Sequence, residues 1–129
     1  MADVPRGNRP LSPHLQVYRL PLTAITSIMT RGTGQGILPG LLLVVWWLVA
    51  AGTSDAAFAT ADWFLRSWLG WLILLGSTWS LWFHFLAGLR HLWYDSGRGL
   101  EIDQGRTLSI VIIVGSVVLA LLTVILMLV

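Results

Sequence analysis

Three long apolar runs alternate with short polar stretches along the chain. The first runs from about Gly36 to Ala51 and extends back through Arg31-Gly-Thr-Gly, because roughly 20 residues are needed to cross bilayer hydrocarbon. Pro39 is compatible with a helix there, since neighbouring helices re-satisfy a broken backbone bond, and Gly32, Gly34 and Gly36 allow another backbone to approach closely. The second run, about Trp63 to Leu92, is longer than a bilayer requires and is predicted to tilt or project beyond it. The third, about Leu108 to Val129, is apolar except for Ser109, Gly115, Ser116 and Thr123. The pattern predicts an all-α integral membrane protein. Its single anchor domain, 1–129, has an N-terminal segment over 1–30, helices over about 31–52, 63–92 and 108–129, and a loop, GTSDAAFATAD, between the first two.

Charge sets the direction of the spans. Arg6, Arg9, Arg19 and Arg31 precede the first span, and Arg90, Arg98 and Arg106 surround the connection between the second and third, whereas the intervening loop has no basic residue. By the positive-inside rule the N-terminus is cytoplasmic and the C-terminus lies on the opposite face. Trp63, Trp68 and Trp71 at one end of the second span and Trp93 and Tyr94 at the other fit interfacial belts.

Composition narrows the chemistry. At 129 residues, 56% hydrophobic and with a mean hydropathy of +0.77, the chain has no room for a soluble catalytic domain beside its spans. A pI near 9.9 rests on a net charge of only +2 and no basic cluster, which argues against nucleic acid as a partner. With no cysteine there is no disulfide, no thiolate-held iron–sulfur cluster and no thiolate haem ligand, so any metal chemistry falls to histidine or to another chain. Pro10, Pro13 and Pro21 interrupt the start, which therefore makes no signal peptide.

The polar residues of the second span form a stripe. Ser77, Ser80, His84, Gly88, His91 and Asp95 are spaced by three or four, so they share one helix face, predicted to turn from lipid. An ionisable group at the depth of His84 is costly and points to function. His84 and His91 stand two turns apart, about 10.5 Å along the axis, too far to bind one ion but suited to the centre and edge of a porphyrin. Gly88 between them leaves room for a flat macrocycle. Two readings fit the stripe: His84 ligates a haem, or it hydrogen-bonds to a neighbouring helix while His91 and Asp95 form a solvated helix end. A six-coordinate haem would take its second ligand from another chain, because His14 lies outside the spans and His91 at another depth.

The segments RPLSPHLQVYR at 9–19, TAITSIMTRGTG at 23–34 and HFLAGLRHLWYD at 84–95 strongly resemble, as a set and in order, the cytochrome b subunit of succinate dehydrogenase, respiratory complex II. The resemblance implies a membrane anchor within a heteromeric helical bundle. Its partners would be a second small membrane subunit, an iron–sulfur subunit and a flavoprotein subunit, with electrons passing from succinate through FAD and iron–sulfur clusters to ubiquinone. It assigns His84 as an axial ligand of haem b, the second anchor supplying the opposite ligand. Ser27 and Arg31 fall on positions lining the quinone pocket, with His91 near the haem propionates and Asp95 in proton supply. Thr30 stands where the family pattern has histidine, while His14 and Tyr18 belong to a docking segment. Met1 only eight residues before the first motif implies a bacterial protein, hence a bacterial inner membrane and a periplasmic C-terminus.

The residue types suit these roles. Reducing a quinone takes two electrons and two protons, so its head group calls for a hydrogen-bond donor and a positive charge, and Ser27 and Arg31 share a face four residues apart. Without the resemblance the same pair reads as a capping serine and a snorkelling arginine. Two other functions compete: a purely structural anchor without functional haem, and a small oligomeric transporter. The transporter would need an acidic residue at the midplane, and no span carries one.

Overall fold

The computed structural model describes residues 12–14 and 16–129; Arg6, Arg9 and the start of the first motif lie outside the described residues. Among the described residues four helices follow in order: α1 (Leu22–Ala51), α2 (Asp55–Arg66), α3 (Trp68–Asp95) and α4 (Ile102–Leu128). Among the described residues there is no strand, and α1, α3 and α4 are long and apolar enough to cross a membrane. Thirty residues of α1 span about 45 Å, more than the hydrocarbon, so the helix projects beyond it.

α1 begins at Leu22 rather than near residue 31. The extra turns are rich in Ser and Thr, which lowers their hydropathy, but the hydroxyls bond back into the helix: Thr30 donates to the Thr26 carbonyl at 2.8 Å and Thr33 to the Met29 carbonyl at 2.8 Å. The predicted loop at 52–62 is largely helix α2. Ser54 caps it by accepting from the Ala57 amide, Asp55 lies in the first turn and Arg66 in the last, matching the helix dipole. Phe58 and Phe64 pack on Trp47 and Trp46 of α1, with ring centroids 5.5 and 5.7 Å apart, and Ala61 is fully buried. Asp62 accepts from Arg66 Nε at 2.6 Å; this bond, then the carboxylate's charge, raises the guanidinium above its already high range.

The predicted second span, 63–92, is divided at Ser67, which ends α2 and caps α3 by accepting from the Gly70 amide. A Cβ at Gly70 would collide with the carbonyls of Phe64 and Leu65, so only glycine permits this corner. At the other end Gly97 and Gly99, with φ of 77° and 74°, turn the chain from α3 into α4.

α3 lies between α1 and α4 and touches both along its length. Phe83, Ala87 and Ile112 form a narrow core, joined by Met29, Trp79, Leu86 and Ile113. The α1–α3 contact is closer than ordinary side-chain packing allows: a Cβ at Gly36 or Gly40 would come within 2.5 Å of Ser80 Oγ or Ser77 Cβ. Ser77 uses this proximity. Its hydroxyl donates to the Gly36 carbonyl at 2.8 Å and accepts from the Gly40 amide at 3.0 Å, two groups that pair with each other in a regular helix. Pro39 lies between them, so a side chain of α3 is inserted where proline disturbs the α1 ladder. On the other flank Trp82 Nε1 donates to Thr123 Oγ1 of α4 at 2.9 Å.

Replacing Ser77 by alanine is expected to cost about 1 kcal/mol, the scale of an interhelical hydrogen bond in a membrane protein. Gly40→Leu is expected to cost more, because it separates the helices. Denaturant titration in detergent micelles checks both values, and equal stability of Gly40→Leu and the parent would contradict the packing described.

Candidate functional site

The N-terminal half of α1 and the C-terminal half of α3 meet around His84. The imidazole Nδ1 lies 3.0 Å from the backbone carbonyl oxygen of Thr30. A carbonyl only accepts, so Nδ1 carries a proton, and in the neutral imidazole that tautomer leaves Nε2 its lone pair. Gly34 makes the approach possible: a Cβ there would stand 3.2 Å from His84 Cε1 and 3.4 Å from Nδ1. His84 is otherwise exposed on the surface of the chain, and one turn on, a Cβ at Gly88 would meet nothing within 4 Å. An imidazole oriented by a main-chain acceptor, with a free Nε2 beside open space, has the tautomer and surroundings of a ligand to a metal held in a flat group. Among the described residues no three His, Asp or Glu side chains cluster as a metal site.

Ser27 and Arg31 lie within α1 rather than at its end. The helix starts at Leu22 with Pro21 as its cap residue, so Ser27 is not a capping serine. With Gly34 they form an i, i+4, i+7 line, which brings their face of α1 to the His84 ring. Ser27 is half-buried and Arg31 exposed, and among the described residues neither side chain has a hydrogen-bond partner. They stand on an open face. Cavities of about 780 and 570 Å³ lie elsewhere, one beside the α3–α4 turn between Trp93 and Thr107, the other between Trp47, Trp71 and Met127.

The stripe on α3 divides. Ser77 and Ser80 turn against α1, His84 leans on α1 with its far side exposed, and Gly88, His91 and Asp95 are exposed. His91 sets its ring edge-on to Tyr94, with centroids 6.4 Å apart, and Asp95 ends the helix. Among the described residues no hydrogen bond or ion pair joins His91 or Asp95 to His84, Ser27 or Arg31. His14 lies outside the helices, its Nδ1 2.8 Å from the Ser12 carbonyl oxygen.

Arg90, counted in the sequence only as a charge near the cytoplasmic face, is 5% exposed and joins three helices. One guanidinium nitrogen donates to Thr26 Oγ1 of α1 at 2.8 Å and to Ser109 Oγ of α4 at 3.3 Å, and those hydroxyls lie 3.2 Å apart. A signal was present: α1 and α4 each carry a hydroxyl near their N-terminal ends, facing the one arginine that lies inside α3.

These elements define a three-span helical membrane anchor with an imidazole, that of His84, oriented within a span. Residues 5–123 match the family described as succinate dehydrogenase/fumarate reductase transmembrane subunit. A succinate dehydrogenase cytochrome b556 subunit of Paracoccus denitrificans is 69% identical over 125 residues, covering 97% of this chain and 96% of the relative. A cytochrome b560 subunit of the same enzyme from Reclinomonas americana is 38% identical over 75% of this chain and 71% of its own, and a cytochrome b556 subunit of Rickettsia conorii 29% identical over 90% of each. The chain belongs to this family of transmembrane subunits, within its succinate dehydrogenase cytochrome b branch.

The His84 contact is made by the Thr30 backbone, so Thr30→Ala is expected to preserve the Nδ1–H tautomer while Gly34→Leu displaces the ring. Side-chain ¹⁵N shifts of His84 in micelles distinguish the two. A change of tautomer in Thr30→Ala would mean that the hydroxyl, not the carbonyl, orients the imidazole.

Proposed function

We propose that this membrane subunit of succinate dehydrogenase binds haem b through His84 and forms part of a ubiquinone-reducing site with Ser27 and Arg31. The observation that carries the reading is the His84 imidazole, fixed by the Thr30 carbonyl with Nε2 free and no side chain at Gly34 or Gly88 to obstruct it. A second small membrane subunit would supply the other haem ligand, which agrees with the exposure of His84 on the surface of this chain. Bound there, the haem would supply a one-electron store. FAD and the iron–sulfur clusters belong to the flavoprotein and iron–sulfur subunits, which deliver electrons from succinate.

The chain's own residues then have distinct tasks. Ser27 donates a hydrogen bond to a quinone oxygen. Arg31 holds its charge against the negative charge that develops on that oxygen, an interaction stronger in the transition state than in the bound substrate. Two electrons and two protons convert the quinone to the quinol. Asp95 and His91, exposed at the end of α3, stand where water reaches the protein, Asp95 to supply protons and His91 to meet a haem propionate. The arginine distribution supports a cytoplasmic N-terminus and a C-terminus on the opposite face, which in a bacterial inner membrane is the periplasm.

His84→Leu is expected to abolish or markedly alter the low-spin haem spectrum of the purified complex. A normal spectrum and haem content would show that another residue is the ligand, and wild-type complex with flavin but no haem would leave a purely structural anchor.

Ser27→Ala and Arg31→Leu are each expected to slow succinate–quinone reductase activity by roughly tenfold or more, the loss of at least one hydrogen bond to the reacting oxygen. Succinate oxidation with an artificial acceptor that takes electrons from the soluble subunits is expected to survive. Loss of both activities together with dissociation of the subunits would make the pair assembly contacts instead.

A further inference from the structure

Arg90 is the buried charge that the proposed function leaves unused. Its two hydroxyl partners, Thr26 and Ser109, are fully buried, its Nε has no partner, and the Tyr94 ring lies 5.8 Å from its guanidinium carbon. The one ion pair among the described residues, Arg66–Asp62, belongs to α2 at the opposite end of the bundle. Among the described residues, the charge of Arg90 is therefore held by neutral groups alone. Joining Thr26 to Ser109 does not call for charge, since a neutral amide donates hydrogen bonds to hydroxyls as well. Burying a cation without an anion is costly, and a device that only fastened three helices would avoid it.

Position suggests what the charge acts on. Arg90 lies six residues beyond His84 on α3, a rise of about 9 Å. It faces the α1–α4 junction while His84 faces outward, so the two do not touch. They share a wall: Thr26, which takes the guanidinium, and Thr30, whose carbonyl orients the imidazole, are successive turns of one α1 face, joined by the bond from the Thr30 hydroxyl to the Thr26 carbonyl. In this water-poor interior a cation's field falls off slowly and is little screened by salt.

We propose that Arg90 is a fixed positive charge that raises the reduction potential of the haem held at His84. Reduction adds one electron and removes one positive charge from the iron, so a nearby cation favours the reduced form, and removing the cation lowers the potential. The proposal rests on His84 as the haem ligand. Arg90 acts as an electrostatic and positioning residue, not as a ligand.

The test is a spectroscopic redox titration of the assembled complex carrying Arg90→Gln, Arg90→Lys or Thr26→Val. The glutamine keeps hydrogen bonding without charge, the lysine keeps the charge, and Thr26→Val removes an acceptor while leaving the charge. Arg90→Gln is expected to weaken reduction by about tenfold, a fall of about 59 mV for one electron. Arg90→Lys and Thr26→Val are expected to stay close to wild type. A wild-type potential in Arg90→Gln overturns the proposal, as does an equal fall in Thr26→Val. If Arg90→Gln purifies without haem, Arg90→Lys decides. Haem at the wild-type potential upholds the requirement for charge, and lost haem or a lowered potential makes Arg90 an architectural clasp. Absence of haem from the wild-type complex would instead remove the His84 reading itself.

Discussion

The backbones of α1 and α3 must approach closely, and most of what the chain offers depends on that approach. Gly36 and Gly40 have no side chain to keep α3 away, so Ser77 reaches into the α1 ladder beside Pro39. The same register brings His84 to the Thr30 carbonyl across Gly34, and Arg90 to Thr26 further on. Lipid drives none of this, because hydrocarbon solvates leucine as well as another helix does. Small residues, hydroxyls and one inserted serine hold the pair, and a helix separation larger by one methyl group would break all three contacts.

The narrow core follows from the same economy. Only a few large side chains are buried, Phe83 the largest, while α4 keeps an almost wholly apolar surface outward. Such a chain is completed by lipid and by other subunits rather than by its own interior, as membership of a family of transmembrane subunits of succinate and fumarate oxidoreductases implies. α2 fastens the far end through two aromatic pairs, so that α1 and α3 are joined at both faces of the membrane.

Hydropathy made the three spans legible, because a membrane helix announces itself by length and apolarity. It misplaced their ends for an equally physical reason: Thr26, Thr30 and Thr33 lower the hydropathy of a segment whose hydroxyls are satisfied within the helix. α2 was read as loop because Ala, Ser and Asp give no apolar run, and the corner at Ser67 depends on the fit of Gly70 against two carbonyls, which no periodicity records. His84 stood out as a charge-bearing group at membrane depth. Arg90 did not, because an arginine near a helix end is read as solvated until the facing hydroxyls of two other helices are placed around it. Ser27 and Arg31 were singled out by resemblance to a family motif, and their geometry adds only that they share a seam with the imidazole.

One consequence follows from which atom of Thr30 meets His84. A contact made by a main-chain oxygen is indifferent to the side chain that the same residue carries, so position 30 is free to vary, and a threonine in place of histidine leaves the orientation of the imidazole intact. The demand is transferred to position 34, where a Cβ would stand 3.2 Å from the ring: alanine asks the imidazole to give by a few tenths of an ångström, and a larger side chain displaces it. The residue that makes the bond is thus the less constrained of the two, and the one that merely leaves room for it the more.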